Sequence, residues 1–124
     1  MADKLKILVV DDKKVIGDLF DYTLGYRGHE ITVVDNVQKT LEAIKKEKYD
    51  IVFLDIVIPD TDGVEIFKKI KEVAPDLPIV MMSGYSVEER RKEAIEMGAV
   101  ACLVKPFEME EVRRIIKGVL AKEV

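Results

Sequence analysis

The chain has 124 residues and a formal net charge of -4, with 48% hydrophobic and 35% charged residues. These values predict one soluble globular domain over residues 1–124 and exclude a disordered chain, and the lack of an apolar run of about 18 residues excludes a membrane span. They also argue against direct binding to nucleic acid, which requires a basic stripe and a high isoelectric point.

Five short apolar runs, taken in chain order, predict five β-strands. No secretory signal accompanies the first run, because Asp11 and Asp12 interrupt it at once. The fifth run contains Cys102, the only cysteine, so no internal disulfide can form and the reducing cytoplasm is the expected location. Nearly continuous apolar character is typical of strands that are buried on both faces. The five runs are residues 5–10, 30–34, 51–54, 77–82 and 100–104.

Helical periodicity fills the intervals between these runs. Apolar residues recur every three or four positions, which indicates helices that bury one face. Residues 13–26 fill the first interval, and a capping box formed by Ser86 and Glu89 predicts the start of the fourth helix. The periodic positions of the other helices are Val37, Leu41 and Ile44 for the second, Val64, Phe67 and Ile70 for the third, and Val112, Ile115, Ile116, Val119 and Leu120 for the last.

Five strands that alternate with five helices predict an α/β fold. Right-handed crossovers place the strands in a doubly wound, five-stranded parallel sheet with helices on both faces. We expect the flavodoxin-like strand order 2-1-3-4-5. In such folds ligands bind at the carboxyl ends of the strands, so the residues directly after each apolar run are the candidates for chemistry.

Polar residues follow four of the predicted strands at the point where each strand ends. Asp11 and Asp12 follow the first strand, and Asp55, Ser83 and Lys105 follow the third, fourth and fifth. These strands are adjacent in the predicted order, so one cleft can receive all five side chains. Crowded carboxylates repel one another, and magnesium, which prefers oxygen ligands, removes that conflict. A carboxylate can also accept a phosphoryl group as a nucleophile, with a metal ion and a lysine neutralising the charge.

These motifs, in this order and spacing, resemble those of the receiver domains of two-component response regulators. The resemblance extends over essentially the whole chain, through "ILVVDD", "FLDIVIPDTDG", "VMMSG" and "VKPF". It implies that Asp55 accepts a phosphoryl group from a sensor histidine kinase in a magnesium-dependent reaction. The implied magnesium ligands are Asp11, Asp12, Asp55 and the backbone carbonyl of Val57, and the implied contacts of the phosphoryl group are Ser83 and Lys105.

The resemblance also has implications for the loops around the cleft. It implies a cis peptide bond before Pro106, which directs Lys105 into the cleft. Pro59 and Gly63 match the family's turn after the acceptor strand. The segment Asp60–Gly63 resembles a calcium-binding loop only faintly, because the further ligands of that motif are not in register, and we expect no calcium site there.

Four residues need separate interpretation. Cys102 stands where most relatives carry Tyr or Phe, so we predict that it packs as a small hydrophobic residue and do not expect an aromatic rotamer switch. Val57 and Tyr85, two residues after Asp55 and Ser83, either slow autodephosphorylation by hindering an in-line water molecule or simply pack in their loops. His29 is predicted to be a surface or edge residue away from the cleft.

The leading interpretation is a signalling switch rather than an enzyme. Such a switch catalyses only its own phosphorylation and dephosphorylation. The chain ends soon after the fifth helix, so we expect output through an effector that docks on helix 4, strand 5 and helix 5, or through a phosphotransfer protein in a phosphorelay. The resemblance implies that the kinase contacts Ile16 and Phe107.

Two alternatives belong to other functional classes. An aspartyl phosphatase requires a second acid two residues after the nucleophile, and Val57 occupies that position. A phosphorylation-independent interaction module would leave the five polar residues of the cleft without a use. Both alternatives therefore rank below the phosphorylatable switch.

Overall fold

A single parallel sheet forms the centre of the structure, a computed structural model that describes residues 4–58, 61–84 and 88–122. The strand order within it is β2-β1-β3-β4-β5, and all neighbouring strands run parallel. This order confirms the predicted flavodoxin-like arrangement. The strands of this sheet are β1 (Lys6–Val10), β2 (Glu30–Val34), β3 (Ile51–Asp55), β4 (Ile79–Ser83) and β5 (Ala101–Val104), and a separate antiparallel pair, Val57–Ile58 with Thr61–Asp62, follows β3.

Helices occupy the intervals between the strands, as predicted. Asn36 caps the second helix, where its side chain accepts a hydrogen bond of 2.8 Å from the Lys39 amide. The predicted cap of the fourth helix at Ser86 lies outside the described residues. The helices are α1 (Lys14–Phe20), which continues as a π-helical segment (Asp21–Gly25), α2 (Val37–Lys46), α3 (Gly63–Val73), α4 (Glu88–Met97) and α5 (Met109–Lys122).

The hydrophobic core lies in two layers, one on each face of the sheet. Side chains alternate between the faces along a strand, so Leu8 and Val10 belong to one layer and Ile7 and Val9 to the other. Helices α2, α3 and α4 cover the first layer, and α1 and α5 cover the second. This arrangement confirms the doubly wound fold. Continuous apolar strands are required because both faces of the sheet are covered.

The prediction that each strand is buried on both faces is wrong for β2. This strand pairs only with β1 among the described residues, and its side chains are half-buried or exposed. Val33, for example, is 44% exposed. At the other edge, Cys102 on β5 is half-buried against the layer under α4, which confirms its predicted packing.

His29 lies directly before β2, at the amino ends of the strands and therefore at the opposite end of the sheet from the predicted cleft. Its half-buried ring accepts a hydrogen bond of 3.1 Å from the Leu5 amide through Nδ1. This position confirms the expected edge location. Among the helices of the described ranges, none combines the length and the apolar character that crossing a bilayer requires.

Replacement of Phe20 by Ala is expected to lower the free energy of unfolding by about 3–5 kcal/mol, because the ring is fully buried and its removal leaves a cavity. The ring centroid of Phe20 lies 4.9 Å from that of Phe53. Urea denaturation measures the change. Tyr22→Ala is the matched control, since Tyr22 is 81% exposed and its loss should cost less than about 0.5 kcal/mol. Equal losses for both variants would contradict this description of the core.

Candidate functional site

The structure brings the predicted polar residues together at the carboxyl edge of the sheet. Asp55 and Ser83 are the last residues of β3 and β4, and Asp11 follows β1 directly. The backbone fixes these positions, since the Asp11 amide donates to the Val34 carbonyl at 3.0 Å and the Lys105 amide donates to the Ser83 carbonyl at 2.7 Å. Asp11, Asp55 and Ser83 are each only 2% exposed. The site is therefore built on rigid strand ends.

Lys105 is the centre of this cluster. Its Nζ atom donates to Asp11 Oδ2 at 2.8 Å and to Asp55 Oδ2 at 2.9 Å. The peptide bond between Lys105 and Pro106 is cis, as the resemblance implied. One ammonium group thus serves two buried carboxylates, and charge-assisted hydrogen bonds of this length are strong.

Burial and charge act in opposite directions on the titratable groups of the cluster. Burial raises the pKa of the Asp11 carboxyl, and the hydrogen bonds from Lys105 and from the Lys13 amide, which favour the ionised form, only partly offset it. Burial lowers the pKa of Lys105, but the hydrogen bonds and negative charges of Asp11 and Asp55 outweigh it, so the pKa is raised overall. Lys105 is therefore a positively charged counter-ion between two buried carboxylates, and burial disfavours the ionised form of Asp11.

Three aspartates of the cluster could hold a metal ion. Asp11, Asp12 and Asp55 each offer a carboxylate oxygen, and these oxygens lie within 4.8 Å of one another. Asp12 is on the exposed side, whereas the other two are buried. A set of carboxylates with one open, solvated side fits magnesium, which keeps several of its water molecules.

Val57 contributes to the site through its backbone. Its amide donates to Asp55 Oδ1 at 3.0 Å, and this contact leaves Oδ2 on the side of Lys105. Val57 as a whole is 54% exposed. The role of its carbonyl as a metal ligand stays a prediction, and so does its effect on dephosphorylation together with Tyr85, because Tyr85 lies outside the described residues.

Gly63 occupies a position that no side chain can share. A Cβ atom there would lie 2.5 Å from the Asp55 carbonyl oxygen and 2.5 Å from Ile56 Cα, so backbone and not a movable side chain blocks it. Its amide donates to the Ile56 carbonyl at 2.7 Å. The start of α3 therefore presses against the segment that carries Asp55. Sequence reasoning assigned this glycine to a turn and missed the close approach. Two other residues of this segment, Pro59 of the turn and Asp60 of the calcium-like segment, lie outside the described residues.

Lys13 is a second residue that sequence reasoning missed. Its amide donates to Asp11 Oδ1 at 2.8 Å, and its Nζ lies 3.6 Å from Asp12 Oδ1. The only signal in the sequence is its place directly after the acidic pair.

A shallow apolar pocket of about 320 Å³ opens beside the cluster. Ile16 and Phe107, the two residues expected to contact a kinase, both line it, and Phe107 packs edge-on against the buried Phe20 ring at 6.2 Å between centroids. The remaining lining residues are Leu19, Gly84, Lys105 and Pro106. Apolar surface thus adjoins the charged cleft.

Comparison with known proteins gives the family. The sequence profile described as the response regulator receiver domain matches residues 7–117. The chain belongs to the response regulator receiver domain family. Receiver domains bind magnesium at an acidic pocket and act as signalling switches, and response regulators partner with histidine kinases and phosphotransfer proteins.

Individual relatives of this receiver domain agree with the profile. Sporulation initiation phosphotransferase F of Bacillus subtilis is 33% identical over 115 residues, which are 93% of each chain. The alkaline phosphatase synthesis transcriptional regulatory protein PhoP of the same organism is 32% identical over 117 residues, which cover 94% of this chain and 49% of PhoP. The chain therefore spans nearly the full length of the first relative and about half of the second.

Solved structures agree with the fold. The receiver domain of NtrX from Brucella abortus has a TM-score of 0.87 and 35% identity, with coverage of 94% of this chain and 98% of that one. The receiver domain of the Francisella response regulator 1452 has a TM-score of 0.89 at 24% identity, covers 98% of this chain and 100% of its own, and supports the fold alone.

Gly63→Ala is expected to lower the free energy of unfolding by about 1–3 kcal/mol, because the added methyl group overlaps backbone atoms that cannot move aside cheaply. Chemical denaturation measures this change. Gly118→Ala is the matched control: a Cβ there meets nothing within 4 Å, so helix propensity should stabilise that variant by up to about 1 kcal/mol. A neutral Gly63→Ala would refute the close approach.

Asp11→Asn is expected to raise the free energy of unfolding at neutral pH by an amount on the order of 1 kcal/mol when a chelator removes divalent cations. The amide avoids the desolvation of a buried charge and can still accept from the Lys13 amide, while Lys105 keeps Asp55. Urea denaturation in chelator compares it with Asp18→Asn, whose side chain is 65% exposed. Lower stability of Asp11→Asn would mean that the pair with Lys105 outweighs desolvation.

Proposed function

We propose that this receiver domain accepts a phosphoryl group on Asp55 from the phosphohistidine of a sensor kinase, in a magnesium-dependent reaction. The observation that carries this proposal is the contact of Lys105 Nζ with both Asp55 Oδ2 and Asp11 Oδ2 at the buried strand ends. A carboxylate held beside an ammonium group and two further carboxylates has the charge arrangement that phosphoryl transfer requires. The family assignment supports the same conclusion.

The chain's own residues have distinct roles in the proposed reaction. An oxygen of Asp55 forms a bond to phosphorus while the bond from phosphorus to the kinase histidine nitrogen breaks, and the product is an acyl phosphate. Because the Val57 amide already binds Oδ1, we assign the attack to Oδ2. Lys105 transfers its hydrogen bond from that oxygen to the phosphoryl group, and the Ser83 hydroxyl donates to a second phosphoryl oxygen.

The acidic cluster supplies the proposed metal site. Asp11, Asp12 and Asp55, with the carbonyl of Val57, would hold magnesium, which neutralises charge on the phosphoryl oxygens when it is bound. The electrostatics favour a cation at this place, since Lys105 and Lys13 together offer two positive charges against three carboxylates. Burial of two of these carboxylates strengthens their electrostatic attraction for a cation.

The proposed partners follow from the surfaces around the site. The apolar pocket with Ile16 and Phe107 is the proposed contact for the kinase. The similarity to a protein named as a sporulation phosphotransferase, over 93% of both chains, supports a place in a phosphorelay, with an effector protein that binds α4, β5 and α5 as the other route of output. We place this reaction in the cytoplasm and assign it to residues 1–124 as one receiver domain.

Incubation with acetyl phosphate and magnesium is expected to add one phosphoryl group to the chain, as measured by intact-mass spectrometry. Chelation of magnesium should remove the adduct, and Asp55→Asn should abolish it because an amide is not a nucleophile toward phosphorus. Asp76→Asn is the matched control, since Asp76 is an exposed aspartate in the loop at the opposite end of the sheet.

Three results would contradict the proposal. An adduct that persists in Asp55→Asn would move the acceptor to another residue, and an adduct that forms equally well in chelator would remove magnesium from the reaction. If acetyl phosphate fails with every variant, the same measurement with a phosphorylated histidine kinase decides the matter, and its failure as well would leave an interaction module.

A further inference from the structure

Lys13 stands between the acidic cluster and the first helix. Its Nζ lies 3.6 Å from Asp12 Oδ1, and the two side chains are 57% and 30% exposed. Its backbone amide, which donates to Asp11 Oδ1 at 2.8 Å, fixes the start of the side chain beside the site. A positive charge is therefore held against the carboxylate on the solvent side of the cluster.

Two lysines form ion pairs with the three carboxylates. Lys105 approaches from the interior and serves Asp11 and Asp55, whereas Lys13 approaches from solvent and lies against Asp12. A divalent cation held by all three carboxylates must share Asp12 with the ammonium group of Lys13 or displace it. Either event costs free energy, because like charges repel at this separation.

We propose that Lys13 sets the magnesium affinity of this receiver domain, as an internal counter-ion that competes with the metal for Asp12. The inference rests on the proposed function, since it takes the three aspartates to be the metal site. Lys13 is a positioning and affinity-setting residue in this scheme and does not touch the phosphoryl group. A receiver with this lysine requires more magnesium to fill its site than the same receiver without it.

The expected size of the effect follows from the exposure of the pair. Loss of one positive charge a few ångströms from a divalent ion in water-like surroundings should tighten magnesium binding by about threefold to tenfold at low ionic strength. Salt screens charges that are exposed to solvent, so the difference should shrink when potassium chloride is raised to about 0.5 M. A change caused by altered packing would not depend on salt in this way.

The test is a titration of the full chain with magnesium chloride at constant ionic strength. Amide chemical shifts in NMR spectra report the binding at each step. Lys13→Gln should bind magnesium about threefold to tenfold more tightly than the native chain, and Lys13→Arg, which keeps the charge, should stay close to it. Lys14→Gln is the matched control, because it removes the same charge one residue away, where Nζ pairs with Asp18 at 3.1 Å.

The lysine substitutions are not expected to change the fold, so differences in magnesium affinity can be compared directly. Lys13 precedes α1 without a side-chain hydrogen bond to the helix, and glutamine keeps the backbone amide that donates to Asp11. Equal unfolding midpoints of the variants in chelator check this point.

The outcomes separate the two proposals. If the native chain and all variants bind magnesium with equal affinity, or if Lys14→Gln tightens binding as much as Lys13→Gln, the role of Lys13 is overturned while the metal site stands. If neither the native chain nor any variant binds magnesium, the metal site of the proposed function fails, and the role of Lys13 fails with it.

Discussion

Two buried carboxylates that share one ammonium group impose the main constraint on this structure. Asp11 and Asp55 end neighbouring strands, β1 and β3, whereas Lys105 follows β5 at the edge of the sheet. The three groups can meet only if β1, β3 and β5 all finish at the same edge of the sheet. Strand order, register and the path of the chain after β5 are therefore coupled through hydrogen bonds of 2.8 and 2.9 Å.

This cluster is better suited to function than to stability. Burial disfavours the Asp11 anion strongly enough that its pKa is raised in spite of the contact with Lys105. Hydrophobic residues of similar volume would often serve the folded state as well as such buried ions do. The cost is met by the two apolar layers of the sheet, where most strand residues are fully buried. Functional sites often retain local features that a fold optimised only for stability would remove.

Most of the fold could be predicted from the sequence because buried strands consist of apolar residues. Strands covered on both faces need apolar side chains throughout, and β1, β3 and β4 were accordingly visible as runs. The same rule failed for β2, because "EITVV" is nearly as apolar as a buried run although it lies at an edge. Position in the sheet is a tertiary property, and a short run does not encode it.

The site was predictable to the extent that topology alone determines it. Parallel strands bring Asp11, Asp55 and Lys105 to one edge whatever their side chains do. Gly63 and Lys13 were missed because their importance depends on three-dimensional positions: a Cβ atom on Gly63 would lie 2.5 Å from a backbone oxygen, and Lys13 Nζ lies 3.6 Å from the Asp12 carboxylate. A glycine after an aspartate and a lysine after two aspartates are ordinary in sequence, and only the folded chain distinguishes them.

The exposed edge of β2 has a consequence for the behaviour of the protein at high concentration. One side of this five-residue strand pairs with β1, and the other is available, among the described residues, as a template for strands of other molecules. The charges of Glu30 at its start and Asp35 just after its end oppose such pairing between identical copies. Charged side chains at both ends of the strand, Glu30 with Lys6 and Asp35 with Lys39, thus disfavour edge-to-edge pairing at this unpaired side.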